Sequence, residues 1–214
     1  MVLKNRKRLT IVGFGASVTQ AAAQMPDESK RWLNVLRARL AAAFPNTDFT
    51  VINSGIGGNS AREAMARFDK DVLAHDPDWV LLDIGANNNS PKDPGRRVPP
   101  DEFKRHLEDF KKRLPPRTRI AVITTPPVIE EQHIYGNDPY FKQFGGLEAS
   151  VEFLRVLMRN FAAENGFPLV DLSKELRRRM ETAGKNCYTL TDGIHLTEAG
   201  NRVLADMVFE VLRK

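Results

Sequence analysis

A chain of 214 residues with 42% hydrophobic residues and a formal net charge of +5 fits a single domain spanning 1–214, large enough to bury a core without staples. The lone cysteine, Cys187, excludes an internal disulfide framework, and no run reaches the roughly 18 apolar residues of a membrane span. Much of the positive excess sits in Lys4-Asn5-Arg6-Lys7-Arg8 and Arg177-Arg178-Arg179, with no aromatic interleaving and no recognised binding motif. Neither nucleic acid nor a membrane is therefore expected as a partner.

Residues 4–24 loosely imitate a secretory leader, but Gly13, Gly15 and Ser17 interrupt its supposed apolar core. A buried strand over 9–14 with a tight turn reads better. The expectation is a cytoplasmic protein, with secretion left open if a natural leader was removed. Beyond that strand, Leu33, Leu36, Leu40 and Phe44 form a helical stripe, followed by a strand over 49–53. Ala61, Met65, Phe68 and Val72 form the next stripe behind a capping box at Ser60 and Glu63, and a strand over 79–84 follows. Phe103, Leu107, Phe110 and Leu114 make a helix closed by Pro115-Pro116, ahead of a strand over 119–124. Leu147, Val151, Leu154, Met158 and Phe161 make another, stopping near Gly166, before a strand over 168–172. A short helix over 173–180 and a last one from Thr197 complete the chain.

Near-continuous apolar runs alternating with amphipathic helices predict an α/β fold: a three-layer α/β/α sandwich around a five-stranded, mostly parallel sheet. Ligands bind such sheets beyond the carboxyl ends of the strands, so the loops after residues 14, 53, 84, 124 and 172 are the ones to search.

The first loop reads Gly13-Phe14-Gly15-Ala16-Ser17-Val18-Thr19. A dinucleotide fingerprint would need glycine at Val18 and an acid at Asn53, and a phosphate-binding loop would need Gly-Lys-Ser/Thr; all are missing. What remains is a glycine turn that places a serine hydroxyl just past a buried strand. Near the C-terminus, Thr191-Asp192-Gly193-Ile194-His195 offers a base and a carboxylate to orient it, which a serine nucleophile requires. Taken alone, that pair reads more readily as a capping aspartate beside a surface histidine. Two further loops change the balance. Asn53-Ser54-Gly55-Ile56-Gly57-Gly58-Asn59 brings backbone N–H groups close to a ligand, and Gly85-Ala86-Asn87-Asn88-Asn89 offers an amide donor for a developing oxyanion.

These four segments, in this order, resemble the four blocks of SGNH hydrolases, the GDSL family. The resemblance runs from the first strand to the last helix and implies the flavodoxin-like SGNH hydrolase fold. It makes Ser17 the nucleophile, His195 the base and Asp192 its orienter, and it makes the Ser17 amide, Gly58 and Asn87 the oxyanion donors. Thr125-Pro126-Pro127 and Asp192-Gly193-Ile194-His195-Leu196 are similar to small-ester hydrolases of the isoamyl-acetate-hydrolysing kind. The implied reaction is hydrolysis of short-chain acyl esters, acetylated sugars among them, with no cofactor and no metal. A lysophospholipase or thioesterase with the same triad, and a catalytically weak carbohydrate-binding relative, are the alternatives. The family usually carries aspartate where this chain has Ala16 and Asn88, which puts rate and loop rigidity in question.

The stretch 126–146 is long for a connection and leaves the sheet at the active edge. His133, Tyr135, Tyr140, Phe141 and Phe144 within it are expected at the substrate pocket. His75, near a helix end, and His106, off its helix's apolar stripe and expected in solvent, have no expected role, nor does Cys187.

Overall fold

The computed structural model describes residues 7–214, so residues 4–6 of the first basic cluster lie outside it. The five apolar runs form five strands: β1 Arg8–Gly15, β2 Asp48–Gly55, β3 Trp79–Asp83, β4 Arg119–Ile123 and β5 Leu169–Val170. They lie side by side in the order β2-β1-β3-β4-β5, every pairing parallel. Among the described residues eight α-helices surround them: α1 Ser17–Gln20, α2 Trp32–Ala43, α3 Ala61–Ala66, α4 Phe68–Asp71, α5 Pro100–Arg113, α6 Leu147–Asn165, α7 Leu172–Ala183 and α8 Glu198–Leu212.

Strand side chains alternate between faces, and that alternation divides the core in two. Leu9, Ile11, Leu81 and Ile123 point into the layer shared with α2, α7 and α8. Val12, Phe14, Leu82 and Val122 point into the layer shared with α3, α4, α5 and α6. The second layer centres on Phe14, Phe68 and Phe110, whose rings meet at 5.2–6.1 Å. Aromatic contacts at such separations add to the burial itself.

Two boundaries differ from those the sequence suggests. The run over 168–172 yields only two strand residues, because Asp171 accepts from the Lys174 N–H and starts α7 at Leu172. The stripe over 61–72 is not one helix: the chain leaves helical geometry at Arg67 (φ −105°, ψ 5°) and resumes at Phe68.

At the carboxyl end of the sheet, the chain turns out of β1 beside β3 and packs α1 against β2. A Cβ at Gly15 would lie 2.2 Å from Thr19 Oγ1 and 2.5 Å from the Asp83 carbonyl oxygen, so only glycine permits this approach. Thr19 Oγ1 donates to the Asp83 carboxyl at 3.0 Å, inside the protein. Asp83 is 5% exposed. Burial raises its pKa to about 6, against the opposing effect of the Thr19 hydrogen bond. A carboxyl with a raised folded-state pKa holds its proton longer in the native state than in the unfolded chain. Its contribution to stability is therefore largest below about pH 4 and declines as pH rises through about 6. Asp83→Asn keeps an acceptor for Thr19 and removes the titration. The variant should be more stable than the parent at pH 7, by at most about 3 kcal/mol, with the difference vanishing near pH 4. Melting temperatures of both proteins across pH 4–8 check this, and a difference independent of pH would show that Asp83 does not titrate in that range.

Candidate active site

Ser17 opens α1 directly after β1, and buried Ala16 precedes it without a side-chain cap. The hydroxyl-bearing residue lines a narrow cleft of about 10 Å³ with Val18, Ala21, Met25, His195 and Leu196. His195 enters from the loop before α8. Its Nδ1 lies 2.7 Å from Asp192 Oδ2, while Asp192 Oδ1 accepts from the backbone N–H groups of Ile194 and His195 at 3.1 and 3.0 Å. Burial alone would raise the Asp192 pKa, but those two N–H groups and the His195 ring outweigh it and hold the carboxyl below its ordinary range. An ionised Asp192 accepts the Nδ1 proton, a tautomer assigned from the hydrogen bonding, which leaves the lone pair on Nε2. That Nε2 is buried and has no partner within the described residues. It shares the Ser17 cleft but is not yet hydrogen-bonded to the hydroxyl, as resting active sites often show.

The loop after β2 closes against the serine. Gly57 N–H donates to Gln20 Oε1 at 3.0 Å, and a Cβ on Gly57 would stand 3.8 Å from Ser17 Cβ. Gly58 takes φ +77°, a conformation that favours glycine. Its carbonyl accepts from the Arg96 guanidinium, which also pairs with Glu63 at 3.0 Å. Glu63 in turn accepts from Ser60 N–H at 2.7 Å in the expected capping box. The Ser17 and Gly58 N–H groups have no recorded partner within the described residues. Asn87 Nδ2 donates to the Asn59 carbonyl at 3.2 Å, which brings the asparagine beside the Gly58 loop.

Asn88 keeps a tie that aspartate could also make. It is fully buried, and its Oδ1 accepts from Ala61 N–H, the first of α3, at 2.8 Å. Its Nδ2 has no partner among the described residues. The loop is thus anchored to the α3 N-terminus in spite of the substitution, with one amide donor left unsatisfied.

A cavity of about 260 Å³ opens beyond Gly58 and Asn87, walled also by Arg96, His133, Tyr135 and Phe141. Three of the five aromatic and histidine residues expected at the pocket are therefore there. Tyr140 and Phe144 are not: the turn Pro139–Phe144 buries Phe141 and sets these two against α5 and α6, around a separate cavity of about 230 Å³. Arg97 stacks over Tyr140 there, 4.1 Å from the ring centre. The root of the long loop is rigidly held. Arg155, 1% exposed, donates to the Thr125 and Pro126 carbonyls and pairs with Glu148 and Glu152. The loop also grips the His195 segment, since Ile129 N–H donates to the Gly193 carbonyl at 2.7 Å.

Sequence reasoning missed Arg67, Arg96 and Gln20, which look like solvated surface residues in a helical or loop pattern. Asp83 left a visible signal, a carboxylate inside an apolar strand. His106 is partly buried and bonded to Glu102 at 3.1 Å, not solvated as its helix position suggested. His75 ends a short turn after α4, and Cys187 is exposed with its thiol on the Ala183 carbonyl. Among the described residues no group of three or more His, Cys, Asp or Glu side chains could hold a metal ion, and no helix is long and apolar enough to cross a membrane.

Residues 13–203 match the model of the GDSL-like lipase/acylhydrolase family. An acetylxylan esterase of Geobacillus stearothermophilus is 26% identical over 171 residues, which cover 78% of this chain and 73% of that protein. The crystal structure of an α/β hydrolase enzyme from the metagenome of Lake Arreo, Spain, superposes with a TM-score of 0.77 at 25% identity, covering 95% of this chain and 94% of that one. A structure of a variant of an acetyl xylan esterase from G. stearothermophilus, 22% identical, shares the fold with a TM-score of 0.76 over 95% of this chain and 94% of its own. With nearly the whole chain inside the family match and the four loops gathered at one end of the parallel sheet, the protein belongs to the GDSL-like lipase/acylhydrolase family and is a carboxylic ester hydrolase.

Proposed function

We propose that the protein is a serine esterase that removes short acyl groups, acetyl foremost, through a covalent acyl-enzyme. The observation that carries this reading is His195: Asp192 fixes its Nδ1, and its buried Nε2 lies unpartnered in the cleft that holds Ser17. Ser17 Oγ attacks the ester carbonyl as His195 Nε2 takes its proton. The developing oxyanion is met by the Ser17 and Gly58 N–H groups and the Asn87 amide, donors aimed at charge that appears only in the transition state. His195 then protonates the departing alcohol. Water, activated by the same imidazole, releases the acid and restores Ser17.

The walls around Ser17 support a small acyl group. A free volume of about 10 Å³ is roughly that of one water, and Val18, Ala21, Met25 and Leu196 line it beside the polar side chains of Gln24 and Asn201. Such a cleft suits a methyl group and excludes a long chain. The acetylxylan esterase similarity points the same way.

Three measurements test this. A fluorophosphonate should label Ser17, and Ser17→Ala should abolish labelling and lower kcat by about 10⁴-fold or more while the melting temperature hardly moves; labelling that survives the substitution would falsify the nucleophile assignment. Asn87→Ala should lower kcat by about 10²–10³-fold, or about 2.7–4 kcal/mol, with KM nearly constant. A rise in KM at constant kcat would make Asn87 a ground-state binder instead. Across 4-nitrophenyl esters from acetyl to octanoyl, kcat/KM should peak at the shortest acyl group. A maximum at octanoyl would favour the lysophospholipase or thioesterase alternative.

A further inference from the structure

A second imidazole lines the cavity beyond Gly58 and Asn87. His133 sits in the turn that follows Ile129, its own N–H donating to the Ile129 and Glu130 carbonyls at 3.1 and 3.2 Å. Tyr135 N–H donates to His133 Nδ1 at 3.1 Å. An amide N–H can bond only to a ring nitrogen that carries a lone pair, so Nδ1 is unprotonated and the neutral ring holds its proton on Nε2. Protonating the ring would set two hydrogens against each other at Nδ1. Burial and the nearby His195 act in the same direction, lowering the His133 pKa against the pull of Asp192. The ring packs against Tyr135, centroids 5.7 Å apart, and forms part of the wall of the cavity that also contains Gly58 and Asn87. Nε2 has no recorded partner within the described residues. The outcome is an uncharged N–H donor, oriented by its own turn, beside the proposed oxyanion site.

What such a donor would meet follows from the division of space. On the serine-esterase reading the narrow cleft at Ser17 takes the small acyl group, and the alcohol portion of the ester extends towards the cavity of about 260 Å³ beyond Gly58 and Asn87. No carboxylate is among the residues lining that cavity; Asn87, Asn89 and Arg96 already donate to the Asn59 carbonyl, Ser150 Oγ, and the Gly58 carbonyl with Glu63, whereas no hydrogen bond within the described residues uses His133 Nε2. A donor without a protein partner selects a ligand that presents an acceptor oxygen to it, because an alkyl or aryl group packed there would take it out of water unpaired. We propose that His133 is a specificity-determining residue whose Nε2–H binds an oxygen of the alcohol portion, so that the protein prefers esters of polyhydroxylated alcohols to plain aryl or alkyl esters.

This inference rests on the serine-esterase reading, and the experiment separates the two. The wild type is first assayed on phenyl acetate and on an acetylated methyl pyranoside. Failure to turn over either ester, together with absent fluorophosphonate labelling of Ser17, would overturn the esterase reading itself. With activity present, His133→Leu removes the donor at similar volume, and His133→Gln supplies another uncharged N–H. The ratio of kcat/KM for the pyranoside over phenyl acetate should fall about tenfold in His133→Leu, chiefly through KM for the pyranoside, and recover in large part in His133→Gln. An unchanged ratio, or an equal loss on both esters, would overturn the proposal, the latter by showing that His133 merely buttresses the Asp192–His195 loop. A readout independent of activity is the ¹⁵N spectrum of the His133 ring at neutral pH. It should report the proton on Nε2, and a proton on Nδ1 would overturn the proposal irrespective of the kinetics.

Discussion

One guanidinium holds the catalytic end of the sheet together. Arg67 donates to the Gly15 carbonyl at 2.8 Å, the Ser54 carbonyl at 2.7 Å, Asn59 Oδ1 at 2.8 Å and the Asp71 carboxylate at 2.8 Å, and it lies over the Phe14 ring. Gly15 is the last residue of β1 before the Ser17 turn, and Ser54 and Asn59 flank the glycine loop after β2. A planar cation with five fixed donors can serve several acceptors at once in a way that lysine cannot. Withdrawing it from water is costly, and the four acceptors together with the aromatic face compensate. The exits of the two strands are thereby fixed relative to each other before any substrate arrives.

Around that anchor the proposed oxyanion corner is built by relay. Arg96 holds the Gly58 carbonyl, Glu63 holds Arg96, and the capping box of α3 holds Glu63. Asn87 is tied to Asn59, and Asn88 to the first N–H of α3. Donors fixed in this way need little reorganisation as charge develops on a substrate oxygen, which is the basis of electrostatic preorganisation. The two places where the family usually has aspartate bear differently on this corner. Asn88 preserves a hydrogen bond to α3, whereas Ala16 leaves the short helix behind Ser17 without a side-chain cap.

The layer architecture was legible because it depends on local patterns. Both faces of β1 and β3 are covered, so alternate residues go to the two helix layers, and the near-continuous apolar runs that contain them are visible in the sequence. Ser17, His195 and Asp192 were legible because each follows a strand or precedes a helix within a short motif. The cavity beyond Gly58 and Asn87 was much less so. Its walls come from four separate loops, and whether Phe141 or Tyr140 faces it depends on the turn Pro139–Phe144, for which the sequence offers no periodic signal. Arg67 was hidden for a related reason. The stripe Ala61, Met65, Phe68, Val72 reports which face is buried and is insensitive to a break in the helix that carries it.

The contact between Gly193 and the long loop has an evolutionary consequence. A Cβ on Gly193 would lie 2.5 Å from the Ile129 carbonyl oxygen and 3.1 Å from His133 N, and Gly193 already has a positive φ of +79°. The segment that presents the imidazole and the segment that shapes the cavity thus share a seam with no room for a side chain. Insertions or deletions between residues 126 and 146 cannot drift independently of the 192–195 turn, because displacing one surface displaces the other. A loop transplanted here would have to arrive together with its matching C-terminal turn.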